Sequence, residues 1–267
     1  MKCTRPVLER CKTGPIEIVE RPCGVCPSCR ATKAQNWTYR LYCESKLHKK
    51  AVFITLTYDE EHVKKLQKSP FGLYSLNKKD MQIFMKSLRK ISVDKLRFFG
   101  VGEYGEHTHR PHMHLIVFGL CEDDELLIRR AWSKGFVKVG SVTPSSIAYV
   151  ARYCTKKLLD EHIDYDGLLP EFNLQSNRPG IGFGAIDKAV MRSADGNLYC
   201  WYEGKRVGLP KYFKDKVRTS YEQYRARLSS QARRDMRCEK FSDEKILEQD
   251  LQRERNTIAS RRARKKV

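Results

Sequence analysis

A chain of 267 residues suffices for one sizeable domain with appendages or for two small ones, and 40% hydrophobic with 10% aromatic residues is the make-up of a folded core, which excludes a wholly disordered chain. No run approaches the roughly 20 apolar residues of a membrane span, and the opening MKCTRPVLERCKTG lacks the apolar core of a secretory signal, so a soluble cytosolic protein without a membrane partner is expected. The formal net charge of +20, thickening toward the end in RARLSSQARRDMR and ASRRARKKV, favours a polyanion, with nucleic acid ahead of an anionic membrane surface.

Residues 1–30 read as a cysteine-bearing module with little regular structure, and three cysteines fall in CGVCPSC (Cys23, Cys26, Cys29). RATKAQNWTYRLYCESKL follows, with Trp37, Leu41 and Leu47 at helical spacing. AVFITLTYD, over 51–59, is β-branched and aromatic and reads as a buried strand. LNKKDMQIFMKSLRKI sets Met81, Phe84, Met85 and Leu88 on one helical face, with Ser75 or Asn77 as cap. KLRFFGVGEYG (95–105) and HMHLIVFG (112–119) read as two strands joined by the polar EHTHR, hence an antiparallel hairpin. EDDELLIRRAW is a helix with acids at its positive end, GFVKVGSV a short strand, and TPSSIAYVARYCTKKLL a helix capped by Thr143 with Pro144 at its first position.

The order strand, helix, strand, strand, helix, strand, helix is that of an α+β, ferredoxin-like (RRM-like) fold: an antiparallel sheet with helices on one face. Residues 160–200 are Gly-rich and resist placement. The expected organisation is a cysteine-rich module and helix (1–50), a catalytic core (51–160), an extension packing on it (161–217) and a basic tail, helical or partly disordered (218–267).

Alternate residues of a strand share a face, so His112 and His114 project together, with Glu103 beside them across the hairpin. Two imidazoles and a carboxylate leave open positions on a divalent ion for water or a substrate oxygen. Packed, hydrogen-bonded core histidines are the competing reading. A second such pair, His107 and His109, sits in the polar turn and is assigned to solvent. AYVARYCTKK places Tyr149 and Tyr153 on one helical face, accompanied by Arg152, Lys156 and Lys157. The tyrosines are packing residues or, beside a metal and a basic surface, nucleophiles. Free tyrosine, with a pKa of about 10, attacks poorly unless assisted. A cation on the non-bridging oxygens of a DNA phosphate supplies that assistance, and attack leaves a 5′-phosphotyrosine and a free 3′-hydroxyl.

FITLTY, GEYGEHTHRPHMHLIVFG and YVARYCTKK resemble the three ordered motifs of the HUH endonuclease superfamily, most closely the replication initiators of gokushovirus-type microviruses, small single-stranded DNA phages. PCGVCPSCRATKAQNW resembles the N-terminal cysteine motif of the same proteins. The similarity covers residues 1–160, with a weaker echo in GKRVGLPKYFKDK. The resemblance implies an HUH nuclease core in which His112 and His114 are paired metal ligands, Glu103 the third, and Tyr149 and Tyr153 two nucleophiles. Lys156 would contact the scissile phosphate or leaving oxygen; Thr57 and Asp59 would face the metal or the DNA, as would Arg152 and Lys157 the DNA. It also implies rolling-circle replication: one tyrosine nicks a single-stranded or locally melted viral origin, the 3′ end primes synthesis, and the second releases a resealed circle. The ion stays open between Mg²⁺ and Mn²⁺. Host helicase and polymerase are the implied partners and the bacterial cytoplasm the location. A plasmid relaxase or transposase of the same superfamily, or a zinc-dependent DNA-binding regulator without activity, are the alternatives.

A structural zinc site wants four ligands. Cys23, Cys26 and Cys29 supply three, and Cys3 or Cys11 the fourth. Free, partly buried thiols and an iron–sulfur motif compete, the latter weakened by the lack of its usual fourth cysteine before proline. Cys43, Cys121, Cys154, Cys200 and Cys238 are scattered and read as structural.

Overall fold

The computed structural model describes residues 3, 6–10, 18–105, 108–156, 167–194 and 197–226, with single positions at 228, 229, 232 and 252. In chain order the elements are β1 (Val7–Arg10), β2 (Ile18–Arg21), α1 (Pro27–Ser45), β3 (Ala51–Tyr58), α2 (Glu60–Val63) and α3 (Lys78–Ile91). Then come β4 (Arg97–Tyr104), β5 (Pro111–Phe118), α4 (Glu125–Ala131), β6 (Gly135–Ser141), α5 (Pro144–Lys156) and β7 (Phe172–Gln175). The last are α6 (Ile186–Ala189), β8 (Met191–Arg192), β9 (Leu198–Tyr202), β10 (Lys205–Gly208) and α7 (Lys211–Val217). Two compact units result, Met1–Lys33 with Lys211–Val267, and Ala34–Pro210, the division falling within α1.

The larger unit is α+β, built on a five-stranded antiparallel sheet in the order β6-β3-β5-β4-β7. β5 lies between β3 and β4, the two strands that α3 connects, which is the split β–α–β arrangement. The helices start where the side chains dictate. Asn77 Oδ1 accepts from the Lys79 N–H (3.0 Å) at the head of α3. Thr143 and Ser146 cap α5 reciprocally, at 3.1 and 2.8 Å.

Strand alternation separates two apolar layers. Val52, Ile54, Leu56 and Tyr58 of β3 and Met113, Leu115 and Val117 of β5 pack with Met81, Phe84, Met85 and Leu88 of α3 and Ile128 of α4. Phe99, Val101, Ile116 and Phe118 face the other way, against Leu41 of α1 and Ile147, Val150 and Ala151 of α5. Helices therefore cover both faces, not the single face expected. A sheet that is apolar on both sides needs a layer on each, and α1 and α5 supply the second.

Three further differences follow from local chemistry. α1 begins at Pro27, inside the cysteine motif, and ends before Leu47, which is exposed, whereas Trp37 and Leu41 pack as their spacing predicts. Residues 1–30 carry the β1–β2 ladder and the first turn of α1. The Gly-rich stretch contributes β7, which extends the sheet beyond β4, and β8, which pairs with β9 in a three-stranded sheet in the order β10-β9-β8. Among the described residues no helix is long and apolar enough to cross a membrane.

Candidate active site

The β4–β5 register sets Glu103 directly opposite His112, and the β3–β5 register sets Thr57 opposite His112 and Thr55 opposite His114. All of these point to the α5 face of the sheet. His112 Nε2 lies 2.6 Å and His114 Nε2 3.1 Å from the same oxygen, Glu103 Oε1. The other nitrogens are held from behind: His112 Nδ1 is 3.1 Å from the Arg110 carbonyl and His114 Nδ1 2.9 Å from Thr55 Oγ1. A carbonyl only accepts, so His112 Nδ1 carries a proton, and a neutral ring then presents a bare lone pair at Nε2.

Burial is the largest influence on Glu103 and raises its pKa, but the hydrogen bonds from His112 and His114 and their charges together outweigh it and hold the carboxyl below its ordinary value. The side chain is 3% exposed, and Oε2 is buried without a hydrogen-bond partner. A buried carboxylate oxygen with no donor is costly unless something positive satisfies it. The two imidazole nitrogens and the carboxylate oxygen lie within 4.8 Å of one another. This donor set fits a divalent cation, and the reading as packed core histidines leaves Oε2 unexplained.

α5 lays its tyrosines on the same spot. The Tyr149 ring meets the His114 ring edge-on at 5.3 Å between centroids, and the Tyr153 ring lies at 6.0 Å. The Tyr153 hydroxyl donates to Tyr149 Oη over 2.9 Å. Phe53 backs both groups, stacked on His114 at 5.5 Å and edge-on to Tyr149 at 6.2 Å.

The remaining sequence candidates fall into three sets. Thr57, half-buried, sits beside His112, and Arg152 is exposed on α5. Asp59 is engaged elsewhere: it caps α2 by accepting from the His62 N–H (2.8 Å), and both its oxygens lie within 2.9 Å of His62 Nδ1. His109 is exposed with φ of 49°. Lys157, His107 and Cys11 lie outside the described residues, as do the side chain of Lys156 and most of 218–267. Sequence reasoning missed Phe53 and Thr55. Their signal was available, since alternation puts Phe53, Thr55 and Thr57 on one face of FITLTY and a ligand histidine needs a partner for its second nitrogen.

A second group gathers in the smaller unit. The sulfurs of Cys3, Cys23, Cys26 and Cys29 lie within 4.8 Å of one another, with Cys3–Cys23 at 3.5 Å, Cys3–Cys26 at 3.8 Å and Cys23–Cys29 at 3.9 Å. Tetrahedral zinc with Zn–S of about 2.3 Å wants sulfurs about 3.8 Å apart. Burial first, then the neighbouring thiols, push the Cys29 thiol above its ordinary value. A cation among the four would reverse that and take them as thiolates.

The family model for the ORF2 type of replication-associated protein matches residues 51–158, a span that holds Glu103, His112, His114, Tyr149 and Tyr153. The chain is 31% identical over 222 residues to replication-associated protein ORF2 of Spiroplasma virus 4, covering 75% of this chain and 68% of that protein. The chain belongs to this family of viral replication-associated proteins. It is also 34% identical over 216 residues to replication-associated protein VP4 of Bdellovibrio phage phiMH2K, and 28% identical over 223 residues to replication-associated protein ORF4 of Chlamydia phage 1. Those alignments cover 73% and 74% of this chain but 66% and 53% of the relatives, so the chain spans between about half and two thirds of their length. The resemblance to microvirus replication proteins read from the three motifs is thereby borne out. No solved structure matches the chain.

Proposed function

We propose that this replication-associated protein is a rolling-circle initiator of the HUH type, which nicks a viral DNA strand by tyrosine attack and later rejoins it. The observation that carries the reading is the meeting of two phenol hydroxyls with a buried His–His–Glu group on one face of the sheet. Membership of the family and a charge of +20 support DNA as the substrate.

His112, His114 and Glu103 would hold a divalent ion, Mn²⁺ or Mg²⁺. When bound it polarises the scissile phosphate and offsets the charge that develops there. The chain's own residues do the rest. Tyr149 or Tyr153 attacks phosphorus as the phenolate; a hydrogen bond from the other phenol stabilises that anion. The bond from phosphorus to the 3′ oxygen breaks, that oxygen takes up a proton, and a 5′-phosphotyrosine remains. Phe53 fixes the rings in place, Thr55 orients His114, and Lys156 is assigned to the phosphate or leaving oxygen. The second tyrosine cuts the regenerated origin, and the freed 3′ hydroxyl attacks the first phosphotyrosine to close the circle. In the smaller unit, Cys3, Cys23, Cys26 and Cys29 would hold a structural Zn²⁺.

Incubation of the full chain with viral single strand and Mn²⁺ tests the reading. A covalent protein–DNA band is expected, with mass spectrometry placing the nucleotide on Tyr149 or Tyr153. No band with any divalent ion, together with DNA affinity that survives replacement of His112 and His114, would leave a zinc-dependent DNA-binding regulator.

A further inference from the structure

The row of side chains that carries the ligands does not end at Thr57. β6 is an edge strand, and it pairs with β3 so that Phe136 lies opposite Thr57 and Lys138 opposite Thr55. Since Thr57 and Thr55 are opposite His112 and His114, the residues Phe136, Thr57, His112 and Glu103 make one cross-strand row, and Lys138, Thr55 and His114 the next. Alternation settles the face, because Val137 is turned into the α3 layer with Leu56 and Met113.

Gly135 makes the approach possible. At its φ of +146° the chain starts β6 hard against the end of β3, where a Cβ would stand 2.3 Å from the Thr57 carbonyl oxygen and 2.4 Å from the Asp59 nitrogen. The result is a phenyl ring beside Thr57 that is 67% exposed, with the exposed Lys138 next to it on the same face. Single exposed apolar residues are ordinary. This one stands in line with the candidate ligands, two strand spacings or roughly 10 Å from His112.

We propose that Phe136 is a base-stacking platform and Lys138 a phosphate contact of a single-stranded DNA subsite along β6. The proposal rests on the nicking reading and deepens it: a nucleotide next to the scissile phosphate spans the distance from the ligand row to the strand edge. The occupant follows from the chemistry. An aromatic face with a cation beside it suits a base and its phosphate, and the overall charge suits the same polyanion. Every base has a π-face, so the subsite contributes affinity and positioning, not sequence readout.

The test uses the full chain with Tyr149→Phe and Tyr153→Phe, so that binding is read without cleavage. An oligothymidylate carrying a single 5-iodouracil at successive positions is bound, irradiated and mapped by mass spectrometry. A cross-link to Phe136 is expected. Phe136→Ala should lower affinity about tenfold or more, with Phe136→Trp restoring it and Phe136→Leu failing to. Lys138→Ala should flatten the logarithmic salt dependence by about 0.7. In the tyrosine-intact chain, Phe136→Ala should raise KM for viral single strand more than it lowers kcat. Unchanged affinity in Phe136→Ala without a cross-link there overturns the subsite. So does unchanged affinity with a shift from dimer to monomer, which gives the edge to a second copy. A cross-link at Phe136 in a protein that never forms an adduct keeps the subsite and overturns the nicking reading.

Discussion

Which nitrogen of each histidine faces Glu103 decides what the site can hold. Arg110 and Thr55 fix the Nδ1 atoms and turn both Nε2 atoms inward. Thr55→Val removes one of those supports with little change in shape, and partners of this kind are worth about 10–100-fold in metal affinity. Calorimetric titration with Mn²⁺ should show a loss in that range, restored by Thr55→Ser; equal affinities would mean that the Thr55 contact does not orient the ring. The tyrosines act one step further out. Tyr149→Phe and Tyr153→Phe should each lower the yield of a full cut-and-rejoin cycle, and the double variant should form no adduct on a denaturing gel. An adduct that persists would move the nucleophile to another side chain.

Elements hold these residues in place through a few buried polar ties. Glu44 of α1 accepts from Arg97 of β4, from the Gly182 N–H at 2.6 Å and from His48 at 3.1 Å. Burial raises its pKa most strongly, but these partners together overcome burial and hold the carboxyl below 4.5. A folded pKa below the unfolded one means stability that is present above pH 4.5 and lost as pH falls through the folded value. Glu44→Gln should therefore cost about 3 kcal/mol at neutral pH, and urea unfolding of the variant should depend less on pH in the acid range than that of the parent. The cysteine group ties the N-terminal residues to the head of α1 in the same sense. Elemental analysis should find one zinc per chain, lost in Cys3→Ser and kept in Cys11→Ser; the reverse would exchange the fourth ligand.

At the scale of the whole molecule the dominant quantity is charge. The lysines and arginines beyond residue 217 add to a net +20. Each phosphate contact on a single strand contributes about 0.7 to the slope of log affinity against log salt. Removing residues 218–267 should weaken DNA binding and flatten that slope by several such steps. A slope that does not move would assign the tail to a protein partner or to solubility.

The sequence by itself determined the elements of the core and the chemistry they carry. AVFITLTY, HMHLIVF and the α3 stripe announce their periods because one face of each is buried, and the same period puts His112 with His114 and Tyr149 with Tyr153. Glu103 was legible because a short hairpin leaves little freedom of register. What only the tertiary structure decided are relations between segments far apart in the chain. Nothing local says that α5 returns to the ligand face, that helices cover both faces, that β7 joins β4, or that Phe136 stands in line with His112. Nor does it choose Cys3 as the described partner of the CGVCPSC thiols. Periodicity states which side of an element is apolar; only packing two elements together states what that side meets.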